Sequence, residues 1–124
     1  MEIILLSLQE SQIEKMSKTL ENRSSSLNLI KKLVNELLPD SRIILFGSRA
    51  KMDYSTDSDY DLMIVTKDTL DTGQKRDYQA HLRKKLAKHK IPADIIIQSE
   101  EEIKSKKEIT GHIVREIMNE GISL

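Results

Sequence analysis

The chain has no cysteine, no tryptophan, one phenylalanine and three tyrosines in 124 residues. Without cysteine there is no disulfide framework and no thiolate for metal or nucleophilic chemistry. That is compatible with a reducing cytosol, and a cytoplasmic location is the expectation. Net charge is lacking too: 20 Lys and Arg stand against 20 Asp and Glu, so no overall field directs the chain toward nucleic acid or a membrane. The N-terminal apolar run, Ile3 to Leu6, is far too short to span a bilayer or to act as a signal sequence. No internal repeat or low-complexity segment is present. The length fits one domain with a single core.

What the sequence does contain is a set of short apolar runs separated by helical patterns. Ile13, Met16 and Leu20 fall on a narrow helical stripe, which Asn22-Arg23-Ser24-Ser25-Ser26 interrupts with turn- and cap-forming residues. Residues 1–25 read as an arm or, equally, as an ordinary packed helix; residues 26–124 read as the domain proper. Leu27 to Leu38 is a helix with Leu27, Ile30, Leu33, Val34 and Leu37 on one face, stopped by Pro39. Strands are expected at Arg42–Phe46, Asp59–Thr66 and Asp94–Gln98, with residues 52–58 a polar loop. A helix over Lys75–Lys90 carries Tyr78, Leu82 and Leu86 on one side and seven basic residues elsewhere, either a solvated face or a docking surface. Ser99 caps a short helix opening with Glu100, Glu101 and Glu102. A last helix begins at Thr110, has Ile113, Val114, Ile117 and Met118 as its apolar face, and ends at Gly121 as a C′ glycine. The order is α-β-α-β-α-β-α, an α/β or α+β domain with a small sheet flanked by helices.

Chemistry concentrates where two of these strands end. Asp59 and Asp61 lie at i and i+2 at the start of an apolar strand, so their side chains point the same way with Cα atoms about 6.5–7 Å apart. They could share one divalent cation or hold two about 3.5–4 Å apart. Asp94, the only charged residue between Lys90 and Gln98, opens another apolar strand. Charge at the edge of a buried strand is costly to desolvate unless partnered, and a metal is one such partner. A calcium loop starting at Asp57 fails, because its sixth position is Leu62 where glycine is required. Zinc fails as well: His81, His89 and His112 lack ligand spacing. Carboxylates alone suit Mg²⁺, with Mn²⁺ the alternative, and Mg²⁺ so held shares its remaining positions with phosphate and water. Gly47-Ser48, after the first strand, offers backbone N–H groups and a hydroxyl to phosphate. Arg49 reads either as a further phosphate contact or as a structural ion pair. Together these parts fit phosphoryl or nucleotidyl transfer. No base pocket is legible: Tyr54, Tyr60 and Tyr78 read as packing residues.

Phe46-Gly47-Ser48-Arg49-Ala50, followed by Ser58-Asp59-Tyr60-Asp61-Leu62, resembles the signature of the DNA polymerase β-like nucleotidyltransferases, and within them the minimal nucleotidyltransferases that include the MntA-type antitoxins. The resemblance runs from about Leu27 to the end. It departs at Lys51-Met52, where many relatives have Arg-Gly, and residues 1–25 have no counterpart. It implies a polymerase β-like fold and two Mg²⁺ ions held with a nucleoside triphosphate by Asp59 and Asp61. Asp94 would complete a metal site and activate the acceptor hydroxyl, and Gly47, Ser48 and Arg49 would bind the nucleotide. It further implies transfer of AMP from ATP to a tyrosine of a HEPN-type ribonuclease toxin, which makes the chain the antitoxin of a type VII-like pair. Occlusion of the toxin without catalysis, and modification of a small molecule such as an antibiotic, are the alternatives. Neither nucleic acid nor a membrane is expected as a partner; self-association through the arm is left open.

Overall fold

A computed structural model describes residues 2–51 and 58–124, and the side chains at 2–12, 15–20 and 22 lie outside that description. The expectations for the loop at 52–57, including Tyr54 and Asp57, and for Met16 and Leu20 therefore fall outside it. Contacts divide the chain into two units, 1–30 and 31–124. Helix α1 runs unbroken from Glu2 to Leu37, so the expected interruption at Asn22–Ser26 is absent. Serine and asparagine in a helix interior cost only about 0.5 kcal/mol each relative to alanine, too little to end a helix flanked by good formers. Among the described residues no helix is long and apolar enough to cross a membrane.

The second unit is built on a four-stranded mixed sheet in the order β3-β2-β1-β4, with β1 at Arg42–Phe46, β2 at Tyr60–Thr66, β3 at Ala93–Ser99 and β4 at Ile122–Ser123. β1 is antiparallel to both β2 and β4, while β2 and β3 are parallel and joined through helix α3, Thr72–Lys88. Three of these strands were expected; β4 was not, being only two residues long. The four-residue helix α2 spans Gly47–Ala50. α4, Glu100–Lys106, and α5, Ile113–Glu120, follow β3. The α+β architecture with a small mixed sheet is thus as expected.

Alternation along the strands gives the sheet two apolar faces. Ile44, Met63 and Val65 lie on one, buried with Ile103 of α4 and Val114 and Ile117 of α5, and Phe46, Ile96 and Met118 pack against them. The other face carries Ile43, Leu45, Leu62, Ile64, Ile95 and Ile97, all buried, and α3 lies against β3 with Leu82 and Leu86 fully buried.

Local chemistry corrects several boundaries. α3 starts at Thr72, three residues before the expected Lys75, because Asp71 and Gln74 form a capping box. α5 starts at Ile113, not Thr110: His112 is its N-cap, its Nδ1 accepting from Val114 N at 3.1 Å, and Gly111 just before it has φ +80°. Gly121 does not adopt the left-handed C′ conformation; its φ is −72°. A Cβ there would run into Ile44 Cγ2 and the Ile117 carbonyl, so glycine is needed for close packing rather than for handedness. The cap expected at Ser99 is present, paired with Glu102 in a second capping box.

Candidate active site

Strand register brings the site together. Phe46 pairs with Asp61 across β1 and β2, and Asp61 pairs with Asp94 across β2 and β3. Directly paired residues project to the same side of a sheet, so Phe46, Asp61 and Asp94 form a row on one face. The next row on that face, Ile44, Met63 and Ile96, lies against the α4–α5 cluster. At the acidic row the cover gives out: Asp61 is half-buried and Asp94 exposed. Asp59 immediately precedes β2 and is exposed.

Gly47 abuts this row. Its φ is +71°, which L side chains rarely adopt, and a Cβ would collide with Asp61 Oδ2. The backbone of the Gly47-Ser48 turn and the Asp61 carboxylate are therefore in direct contact, which only glycine allows. Beside the turn a cleft of about 190 Å³ opens between α2 and α5, lined by Phe46, Ala50, Ile113 and Ile117 and flanked by Lys51 and Glu120. Those two charges pair at 3.4 Å.

Arg49 turns inward and is only 6% exposed. Its Nε and Nη2 donate to the Ser58 carbonyl at 2.9 and 2.7 Å, Nη1 donates to Tyr60 Oη at 3.2 Å, and the guanidinium lies 4.0 Å from the Tyr60 ring centroid. Ser58 and Tyr60 flank Asp59, so one arginine grips both neighbours of a site carboxylate. Tyr60 N also donates to the Pro92 carbonyl at 2.9 Å, tying the start of β2 to the segment that leads into Asp94. Sequence reasoning missed this clamp. The signal was available in retrospect: a tyrosine between two aspartates at the first, buried position of a strand.

The carboxylates of the row crowd one another. The Asp61 carboxyl is pushed above the usual carboxylate range by burial first, then by the negative charges of Asp94 and Asp59. Asp94 Oδ1 stands 3.8 Å from Arg83 Nη2 of α3, with both side chains more than half exposed. Among the described residues no three of His, Cys, Asp and Glu already form a metal cage. An all-carboxylate set around an under-compensated Asp61 still has the hard, anionic character that Mg²⁺ requires. Mg²⁺ commonly relies on one or two protein carboxylates and completes its shell with water and phosphate, so a closed cage is not a precondition.

The model of one protein family, described as a nucleotidyltransferase domain, matches residues 27–124. The chain belongs to that family. No curated protein matches significantly. Among solved structures, the nucleotidyltransferase domain is similar to a toxin–antitoxin complex with AMP-PNP, at 23% identity and a TM-score of 0.58 over 77% of this chain and 69% of the other. It is also similar to the MntA–HepT toxin–antitoxin, at 22% identity and a TM-score of 0.53 over 81% and 69%. A third is a tri-AMPylated Shewanella oneidensis HEPN toxin in complex with an MNT antitoxin, at 21% identity and a TM-score of 0.50 over 81% and 69%. At these identities the likeness is one of fold, and it bears out the expected nucleotidyltransferase architecture.

Proposed function

We propose that this nucleotidyltransferase moves AMP from ATP to a protein hydroxyl, a tyrosine of a HEPN-type ribonuclease toxin, and so acts as its antitoxin. The observation that carries the reading is the Asp61–Asp94 register with Gly47 pressed against Asp61, in a chain of the nucleotidyltransferase family. The three complexes above, whose names include an AMP-PNP complex and an AMPylated HEPN toxin, support the choice of nucleotide and acceptor.

Asp59, Asp61 and Asp94 are the residues that would hold divalent cations. Bound Mg²⁺ would supply charge neutralisation at the attacking and leaving oxygens. The Gly47-Ser48 turn would seat the phosphates through its backbone N–H groups and the Ser48 hydroxyl. Arg49 has its donors on Ser58 and Tyr60, so its contribution to nucleotide binding is to hold the segment that delivers Asp59. In the transfer, the tyrosine oxygen attacks the α-phosphorus, the bond from that phosphorus to the bridging oxygen breaks, and pyrophosphate leaves. Asp94, on the edge strand β3, would take the hydroxyl proton. Residues 1–25, which precede the family match at 27–124, would be an arm outside this machinery.

The test is to incubate the protein with Mg²⁺, labelled ATP and the protein encoded beside it. Label on that neighbour, lost with Asp59→Asn, is the expected result. No label, or undiminished label with Asp59→Asn, would contradict it. Toxin neutralised in cells by Asp61→Asn as well as by the unaltered protein would favour occlusion without catalysis.

A further inference from the structure

The acidic row has a direction. It runs from the Gly47-Ser48 turn at the end of β1, through Asp61, to Asp94 on β3, which is an edge strand. In an in-line displacement the attacking and leaving oxygens lie on opposite sides of phosphorus. If phosphates sit on the turn, pyrophosphate leaves toward β1 and the acceptor arrives over β3. This step rests on the function proposed above. What guards that edge is α3. Gln79 Nε2 donates to the Ile95 carbonyl at 2.9 Å, and one turn later Arg83 reaches Asp94.

The surface beside Arg83 is strongly basic in a chain that is neutral overall. α3 contains six lysines and arginines and one carboxylate, Asp77. Arg76, two turns before Arg83 on the same helical face, is exposed, with exposed Ala80 between them, and Lys84 and Lys90 are exposed nearby. These cations are not needed to hold α3 in place, since Leu82 and Leu86 are its fully buried residues. Among the described residues, the ion pairs of the helix are Lys75 with Glu102 at 2.7 Å and the looser, exposed Arg83 with Asp94 at 3.8 Å.

We propose that the Arg76–Arg83 face of α3 is the docking surface for an acidic protein segment flanking the acceptor hydroxyl. Arg83 is a positioning residue within it: it stands between the acceptor's negative charge and Asp94 and registers the hydroxyl against the acidic row. A protein is favoured over RNA because α3 exposes no Phe, Tyr or Trp ring on which bases could stack: Tyr78, its one such residue, is half-buried.

The experiment is fluorescence anisotropy, without ATP or Mg²⁺, using labelled tyrosine peptides flanked by glutamates or by lysines and a single-stranded RNA of the same charge as the acidic peptide. The acidic peptide binds at least about tenfold more tightly than the basic one, and binding weakens with added salt. Arg83→Glu and Arg76→Glu each weaken it by about tenfold or more. Arg76 lies away from Asp94, so its variant reports on the surface alone. Equal binding of the two peptides, no effect of either substitution, or RNA binding tenfold tighter than the acidic peptide would overturn the proposal. Mg²⁺-ATP titration of the same samples keeps the two readings apart: its failure would strike the nucleotidyl transfer and leave the peptide result standing.

Discussion

The two ends of β3 hold carboxylates in opposite electrostatic situations. Past its C-terminal end, Glu100 and Glu102 each have a cation. Glu100 takes a two-pronged pair from Arg42 at 2.7 and 3.0 Å, which holds it below the usual carboxylate range. Glu102 is pushed up by burial, but Lys75 and the Ser99 backbone outweigh this and hold it low. At the N-terminal end Asp61 is desolvated and faces Asp94 and Asp59, and its carboxyl is pushed up. Beyond the strand's end the charges stabilise the fold, while beside its start the carboxylates crowd one another. Strain of the second kind is what a functional site keeps and a purely structural sheet would remove.

The largest effect expected from breaking that contrast is on catalysis. Asp61→Asn should lower AMP transfer by about 10²–10³-fold or more, the scale on which a single charge-stabilising group acts, as read by label incorporation. Next comes Gly47→Ala, which meets both the left-handed backbone and the Asp61 carboxylate. It should cost about 1–3 kcal/mol, visible as a lower melting temperature together with weakened ATP binding. Ser99→Ala removes a fully buried cap from α4 and should cost about 1 kcal/mol with no change in the transfer rate per folded molecule.

The smallest effects sharpen the comparison most. Asp61→Asn should raise stability even as it abolishes activity. Asp61 is partly exposed, so solvent screening keeps the gain to about 0.5 kcal/mol, or about 2–4 °C in melting temperature. The signs with pH follow from linkage. A carboxyl whose folded pKa is raised destabilises the fold once it ionises. The advantage of Asp61→Asn is therefore present above the carboxylate range and fades as pH falls through it. Glu102, whose folded pKa is lowered, contributes stability above its unfolded pKa that is lost as pH falls through the folded one. Glu102→Gln should accordingly be destabilising at neutral pH and converge on the unaltered protein in acid. Urea melts of both variants from neutral to acidic pH check the two signs together.

Much of this site was legible in the sequence because strand periodicity fixes which side chains share a face. Asp59 and Asp61 were singled out by alternation, Asp94 by the apolar run that follows it, and Gly47 and Ser48 as the turn that ends the first apolar run. Arg49 was left open between a phosphate contact and a structural ion pair, and its clamp on Ser58 and Tyr60 was not foreseen. Its burial depends on Ser58 and Tyr60 from another element, and no local pattern encodes such a contact. The early start of α3 was written in Asp71 and Gln74, yet the preceding loop composition masked it. The serines at 24–26 misled in the other direction, since residues that favour caps still tolerate a helix interior when both flanks propagate. β4 could not be seen at all: two residues carry no period, and their pairing with Ile44 and Leu45 is decided by where α5 releases the chain.

The central claim is that Asp61 belongs to a row that binds a divalent cation. Thermal melting with and without Mg²⁺, in the presence of a non-hydrolysable ATP analogue, tests it directly. The unaltered protein should gain several degrees on adding Mg²⁺, while Asp61→Asn should start higher and gain nothing. Equal shifts in the two proteins, or none in either, would contradict it.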